Sequence, residues 1–263
     1  MPEIVEEILL RLPPDDPAAL ARAALTPASA AGTGRPIPWN WHAAVLAAGD
    51  AACDDGRIDP FLVVFVGAAG TRSFACVYSS EAGEWSEPPT SVEHFERDHF
   101  RLAPAALAGN ALQFMFHEST QILKYDLATR GISITNLPNT FSNLRRIVLT
   151  TAEDGGLGFA TVEDSWLYLW SRETDPKAIV GWAPSRAVDL RALLPADALR
   201  TSPEVVAVAD GNGAILLGTD EGLFAIDLKS GSATKVGEVS GGYYDAFPYA
   251  CFCMPGTPLF FFF

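Results

Sequence analysis

Four stretches of the chain repeat one alternation of apolar and polar positions. The clearest copy is ILKYDLATRGISITNLP, Ile122 to Pro138; its relatives start at Phe74, Leu167 and Leu223. Each has an apolar run ending in Tyr78, Tyr125, Trp170 or Ile226. A turn rich in Gly, Ser, Thr or charge follows, then a second short run. Ahead of each stands another apolar run, PFLVVFV at Pro60, GNALQFMF at Gly109, GLGFATV at Gly156 and GAILLGT at Gly213. Short runs of β-formers separated by turn residues predict strands joined as hairpins. The unit recurs every 45 to 55 residues or so, the period of a four-stranded propeller blade.

From Trp39 the pattern divides into blades, each of four strands lettered A to D from the axis outward. The first takes Trp41–Ala47, Pro60–Val66, Phe74–Ser79 and Glu84–Glu87. The second takes Arg101–Ala108, Asn110–Phe116, Gln121–Asp126 and Ile132–Leu137. The third takes Leu144–Thr150, Gly156–Val162, Trp166–Ser171 and Ile179–Val188, and the fourth Val205–Ala209, Ala214–Gly218, Leu223–Asp227 and Ala233–Val239. Arg191 to Leu199 reads as a helical turn between the third and fourth blades. Ala246–Cys253 and Pro258–Phe263 supply two strands of a fifth, so the apolar segment Leu259 to Phe263 is expected to leave an open edge that self-associates.

The N-terminal segment follows another rhythm. Ile4, Val5, Ile8, Leu9 and Leu12 fall three and four apart, the spacing of one helix face, until Pro13 and Pro14 stop it. Asp15 or Asp16 then caps a second helix running from Ala18 to Leu25. The expected fold is all-β: an incomplete β-propeller-like array of four-stranded blades behind a short N-terminal α-helical hairpin. Residues 1–26 form the hairpin, 27–38 a linker, and 39–263 the repeat domain of about four and a half blades.

Composition narrows the function. The 263 residues are 49% hydrophobic and 19% charged, with 22 Gly and 19 Pro, which suits many short strands and excludes a disordered chain. A net charge of −14 argues against a phosphate-tracking surface, so no nucleic-acid partner is expected. No run has the length of a membrane span or the form of a signal peptide, so the expected address is cytoplasmic or nuclear, away from membranes. Cys53, Cys76, Cys251 and Cys253 lack framework spacing and read as buried thiols, although Cys251 and Cys253 alternate onto one strand face as two soft ligands would. His42, His94 and His99 are scattered. The six tryptophans, Trp39, Trp41, Trp85, Trp166, Trp170 and Trp182, are read as mostly packing between blades, with Trp39 and Trp41 near the junction as the candidates for exposure.

No phosphate loop, nucleophile elbow or calcium-loop spacing is present, and the chain is read as a non-enzyme needing no cofactor and no metal. The candidate constellation is acidic. The turns between strands B and C carry His117 and Glu118, Glu163 and Asp164, and Asp220 and Glu221, which a propeller brings to one face. Such turns can be simply solvated, attract a basic peptide, hold a hard cation, or act as acid and base in a propeller hydrolase.

The opening, Met1-Pro2-Glu3 followed by IVEEILLRLPPDDPAALARAAL, resembles an F-box. FLVVFVG at Phe61, ACVYSSEAGEW at Ala75, AEDGGLGFATVEDSWLYLW at Ala152 and GTDEGLFAIDL at Gly218 are similar to a grass F-box protein family whose F-box precedes a propeller-like domain. The resemblance implies a substrate-recognition subunit of an SCF-type ubiquitin ligase. Pro2, Ile4, Ile8, Leu9, Leu12 and Pro13 would then dock a Skp-type adaptor, and the propeller loops would hold an unknown, possibly basic target protein. After Leu25 the family continues into a third helix, where this chain has TPASAAGTGRPIPW. An internal segment is therefore expected to be missing near Ala28 to Gly32, leaving a truncated F-box with adaptor docking weakened or lost. The alternative is an interaction protein without that docking.

Overall fold

The computed structural model describes residues 41–47, 60–69, 71–86, 90–93, 100–101, 103, 105–117, 120–138, 141, 146–173, 181–209, 213–238, 246–249 and 259–262. The hairpin of residues 1–26 with Pro2, Ile4, Ile8, Leu9, Leu12 and Pro13, the linker 27–38, and Glu118, Trp39, Cys53, Cys251, Cys253, His94 and His99 lie outside them.

The described residues form an all-β, four-bladed propeller arrangement. Blade 1 holds β1 (Trp41–Ala47), β2 (Phe61–Ala69), β3 (Arg72–Ser79), β4 (Glu84–Trp85) and β5 (Thr90–Glu93). Blade 2 is β6 (Ala106–Ala108), β7 (Ala111–Met115), β8 (Gln121–Asp126) and β9 (Ile132–Asn136). Blade 3 is β10 (Val148–Thr151), β11 (Leu157–Glu163), β12 (Trp166–Glu173) and β13 (Gly181–Asp189). Blade 4 is β14 (Glu204–Ala209), β15 (Ala214–Thr219), β16 (Gly222–Asp227) and β17 (Ser232–Gly237). Blades 2 to 4 are antiparallel meanders in chain order, blade 1 is one as far as β4 with β5 pairing back to β3, and β18 (Ala246–Tyr249) pairs with β19 (Leu259–Phe262) as a separate two-stranded sheet.

Three differences from the expected strands have local causes. The outer strand of blade 1 is split: β4 pairs with the end of β3 and β5 with its start. Pro88 and Pro89 stand between the two pieces in sequence and have no N–H to give a ladder. The first strand of blade 2 is Ala106–Ala108 rather than Arg101–Ala108, with one isolated bridge, Phe100 to Phe116, ahead of it. Pro104, between Phe100 and Ala106 in sequence, likewise has no N–H to give a ladder. The expected helical turn at Arg191 to Leu199 is two 3-10 turns, Leu190–Ala192 and Ala196–Leu199, parted by Pro195, which caps the second. Asp189 caps the first by accepting from the Arg191 N–H at 3.0 Å.

The core lies between blades. Strand side chains alternate between two faces, and here both faces are covered, which is why the strands read as near-continuous apolar runs. In blade 3, Val148, Ala160, Val162 and Leu167 pack with Val205, Ile215, Leu217 and Ile226 of blade 4. The residues one step out of phase, Leu149 and Phe159, pack with Met115 and Ile122 of blade 2. Blade 2 turns Leu112, Phe114, Leu123 and Tyr125 the other way, onto Val64, Val66 and Ala75 of blade 1. Successive faces are thus glued in sequence order, and the inner strands β6, β10 and β14 lie side by side, with β18 next to β14.

Aromatic rings reinforce the junction of blades 2 and 3. Phe159 stacks on Trp170 at 5.9 Å, and Phe141 meets both edge-on at 5.0 and 5.1 Å. Each such pair contributes about 0.5–1.5 kcal/mol beyond the area it buries. Hydrogen bonds across the blades complete the joints: Thr151 Oγ1 donates to Leu107 O at 2.6 Å, and Gly109 N donates to Gly155 O at 2.7 Å.

Candidate functional site

Antiparallel order places all B–C turns and D–A connections at one end of the blades, and all A–B and C–D turns at the other. The turns of Glu163 and Asp164 in blade 3 and of Asp220 and Glu221 in blade 4 lie at the first end. In blade 3 Glu163 pairs with Trp166 across a two-residue turn whose first residue, Asp164, has φ 55°, a left-handed value that Asp tolerates better than most residues. In blade 4 the turn of Asp220 and Glu221 is closed by Gly222. Its φ is 128°, and a Cβ there would run into the Gly237 carbonyl oxygen. The Thr219 hydroxyl holds this turn by donating to Gly222 O at 2.8 Å and accepting from Glu221 N at 3.2 Å.

The connection from blade 3 to blade 4 ties these two turns together. Thr201 Oγ1 donates to Asp220 Oδ2 at 2.8 Å, and Ser202 Oγ donates to Asp164 O at 3.4 Å. Asp220 therefore has a structural engagement that its sequence did not reveal, whereas Glu163 and Glu221 stand exposed. His117, also exposed, belongs to the same end of blade 2, where Arg101 joins blades 2 and 3 by donating to His117 O at 3.3 Å and Ile147 O at 2.7 Å. Among the described residues no three His, Cys, Asp or Glu side chains converge as a metal site.

Among the described residues the exposed tryptophan is Trp166, 36% accessible, whereas Trp41 stacks on Phe65 at 5.7 Å. Of the two candidates for exposure, Trp41 is half-buried and Trp39 lies outside the described residues. Trp166 follows a two-residue turn, which swings it to the rim, and the Arg191 guanidinium lies 5.9 Å over its ring. Arg191 is held by two bonds to the Asp189 carboxylate, 2.8 and 2.9 Å, and these bonds pull the Asp189 pKa below the ordinary carboxylate value.

Buried titratable groups serve the fold. Cys76 is 4% exposed, and burial pushes its thiol up to about 12, so it is an inert packing residue. His42, buried in β1, has Nε2 at 2.6 Å from Ala103 O and Nδ1 at 3.1 Å from Ala43 O; burial lowers its pKa, partly offset by the two carbonyls.

At the opposite end a cleft of about 220 Å³ opens between blades 3 and 4. Leu169, Val208 and Ile215 are among its lining residues, with Glu153, Arg186 and Lys229 as its charged ones. Sequence reading passed over these three. Arg186 lies on an outer strand and Lys229 in a turn, where an isolated charge reads as solvated, and only the packing of the two blades brings them together.

Residues 42–260 match the family model described as F-box protein AT5G49610-like, beta-propeller. No curated protein matches the chain. Among solved structures it is similar to a chain from a structural and mechanistic study of two prolyl endopeptidases, at 14% identity and a TM-score of 0.37. That similarity covers 72% of this chain, which spans only 27% of the other's length. The family match takes in every strand of the four blades except their first residue, Trp41, and on it this chain belongs to the F-box protein AT5G49610-like beta-propeller family.

Proposed function

We propose that this chain is a target-recognition subunit of an SCF-type ubiquitin ligase, of the grass F-box type, with the propeller holding a target protein and the N-terminal segment meeting a Skp-type adaptor. The observation that carries this reading is the family match over residues 42–260, since the family is one of F-box proteins. The opening sequence supports it, because Pro2, Ile4, Ile8, Leu9, Leu12 and Pro13 stand where the F-box opening motif has its adaptor-facing residues. Catalysis belongs to other subunits in this reading. The exposed Glu163, Glu221 and Trp166 give the first end of the blades an acidic rim with an aromatic anchor, a surface suited to a basic segment of the target.

After Leu25 the sequence TPASAAGTGRPIPW does not resemble the family's third F-box helix, which favours weak docking and, in the second reading, an interaction protein that has lost the adaptor altogether. Calorimetry of the full chain with a purified Skp-type adaptor tests both. Saturable binding weaker than that of a complete F-box, and abolished by Ile8→Asp with Leu9→Asp, is expected. Absence of binding selects the second reading, and binding as tight as a complete F-box refutes the truncation.

A further inference from the structure

The cleft between blades 3 and 4 combines an apolar interior with two cations, of which Arg186 is held by a hydrogen bond. Arg186 comes from the outer strand of blade 3, just after a register shift at which Leu169 faces Arg186 and Trp170 faces Pro184, leaving Ser185 as the extra residue. The Ser185 hydroxyl donates to Leu169 O at 3.1 Å, which anchors the bulge. Arg186 Nη2 then donates to Leu228 O of blade 4 at 2.6 Å, so the guanidinium is held at the mouth with other N–H donors to spare. Lys229 comes from the C–D turn of blade 4. Its own N–H donates to Asp227 Oδ1 at 2.7 Å, and its stem passes Gly213, where a Cβ would lie 3.8 Å from Lys229 Cε. Neither cation forms an ion pair among the described residues. Asp227 lies near enough to Lys229 to feel its charge, yet two cations free of close ion pairs on a chain of net charge −14 stand out from the general field of the molecule.

We propose that this cleft takes an acidic-apolar segment of a target polypeptide. A large apolar side chain packs on the half-buried Leu169 and Leu228, and the carboxylate of a neighbouring Asp or Glu side chain accepts from Arg186 and Lys229. The volume, about 220 Å³, fits one large side chain and excludes a folded element. Charge complementarity selects the acid beside it. Glu153, contributed by the A–B turn of blade 3, adds a negative charge to the lining, so a single carboxylate is favoured over a run of them. This rests on the target-recognition reading and names the chemistry one face would read.

The test uses the full chain and fluorescein-labelled peptides capped at both ends, with Phe-Glu or Leu-Glu in a Gly-Ser background. Matched peptides carry Lys for Glu, or Ala for the apolar residue. Anisotropy should show saturable binding of the acidic-apolar peptides and loss of it in both controls. Lys229→Gln should weaken it about tenfold, the worth of one charge-assisted hydrogen bond, and Arg186→Gln at least as much. If Arg186→Gln disturbs the joint with blade 4, Lys229→Gln, on an exposed turn, carries the test alone. Equal binding of the Glu and Lys peptides, indifference to both substitutions, or no binding at millimolar peptide overturns the proposal. Adaptor calorimetry separates the two readings. Peptide selection without adaptor binding sinks the ligase assignment and leaves the cleft. Adaptor binding without peptide selection sinks the cleft alone.

Discussion

Arg130 of blade 2 and Gly231 of blade 4 occupy the same corner of the same turn, with φ 55° and 66°. Gly83 of blade 1 holds it a third time, at φ 69°. Each stands four residues after the side chain that organises the C–D turn, Asp126, Asp227 or Ser79. A Cβ at Gly83 or Gly231 would meet nothing within 4 Å, so any cost of adding one is conformational. Arg130→Gly should therefore raise stability by about 1 kcal/mol, the left-handed penalty it removes. Gly231→Ala should lower it by about 1 kcal/mol. Urea denaturation of the two variants gives both signs, and a destabilised Arg130→Gly would show that its side chain contributes more than its backbone costs.

Asp126 and Asp227 make that turn in the same way. Asp126 Oδ1 accepts from Thr129 N at 2.9 Å, Thr129 Oγ1 at 3.0 Å and Ala128 N at 3.1 Å; Asp227 Oδ1 accepts from Lys229 N at 2.7 Å and Ser230 N at 3.2 Å. The Thr129 N–H for Asp126, and the Ser230 hydroxyl for Asp227, lead the groups that lower each carboxyl below its ordinary 3.8. A lowered folded pKa means that the unfolded chain binds the proton first. The contribution is complete above 3.8 and is lost as pH falls through the folded values. Asp126→Asn with Asp227→Asn should leave a melting curve near neutrality modestly lowered and flatten its acid limb. An acid limb as steep as that of the parent would place the responsible carboxylates elsewhere.

His42 gives a second titration at higher pH. Burial is the main cause of its lowered pKa, so the unfolded state takes up the proton near 6.5 while the folded state still resists. Stability is then full above 6.5 and declines as pH falls below it toward the folded value. The imidazole also links β1 to the segment entering blade 2 through Ala103 O. His42→Gln should remove the slope of stability between neutral and mildly acid pH and weaken the joint at every pH. A retained slope would exclude His42 as its source.

Much of the blade pattern was legible because both faces of the inner strands are buried. Leu223–Asp227 as read and Gly222–Asp227 as found differ by one residue, and Gln121–Asp126 is identical. A strand with one apolar residue gives no such signal, which is why Thr90–Glu93 went unread. Nor does sequence announce a bulge. Between Val205 and Ala207 the register slips, so Val205 and Val208 face blade 3 while Val206 and Ala207 face the other way. The acidic turns were visible as turn chemistry, but the bonds from Thr201 and Ser202 were not, since they depend on how two blades sit together. The Arg186 and Lys229 pairing was hidden for the same reason.

Alternation between blade faces makes a last prediction about energetic coupling. Leu216 and Leu217 are adjacent in β15 and equally buried, yet Leu217 belongs with Leu167 in the cluster between blades 3 and 4, while Leu216 lies with Val206 and Leu223 on the opposite face. Truncating any of these leucines to Ala should cost about 2–5 kcal/mol, the transfer term plus the cavity. The pairs should differ where the single variants do not. Leu167→Ala and Leu217→Ala open space into one shared cluster, so their double variant should depart from additivity by about 0.5 kcal/mol or more. Leu167→Ala and Leu216→Ala are separated by the thickness of blade 4, and their costs should sum. Conservative pairs, Leu→Val at the same positions, keep the comparison measurable if the Ala variants fall below the folding threshold. Equal coupling for both pairs would mean that a cavity is transmitted through the sheet, and that the two faces of a blade do not respond independently.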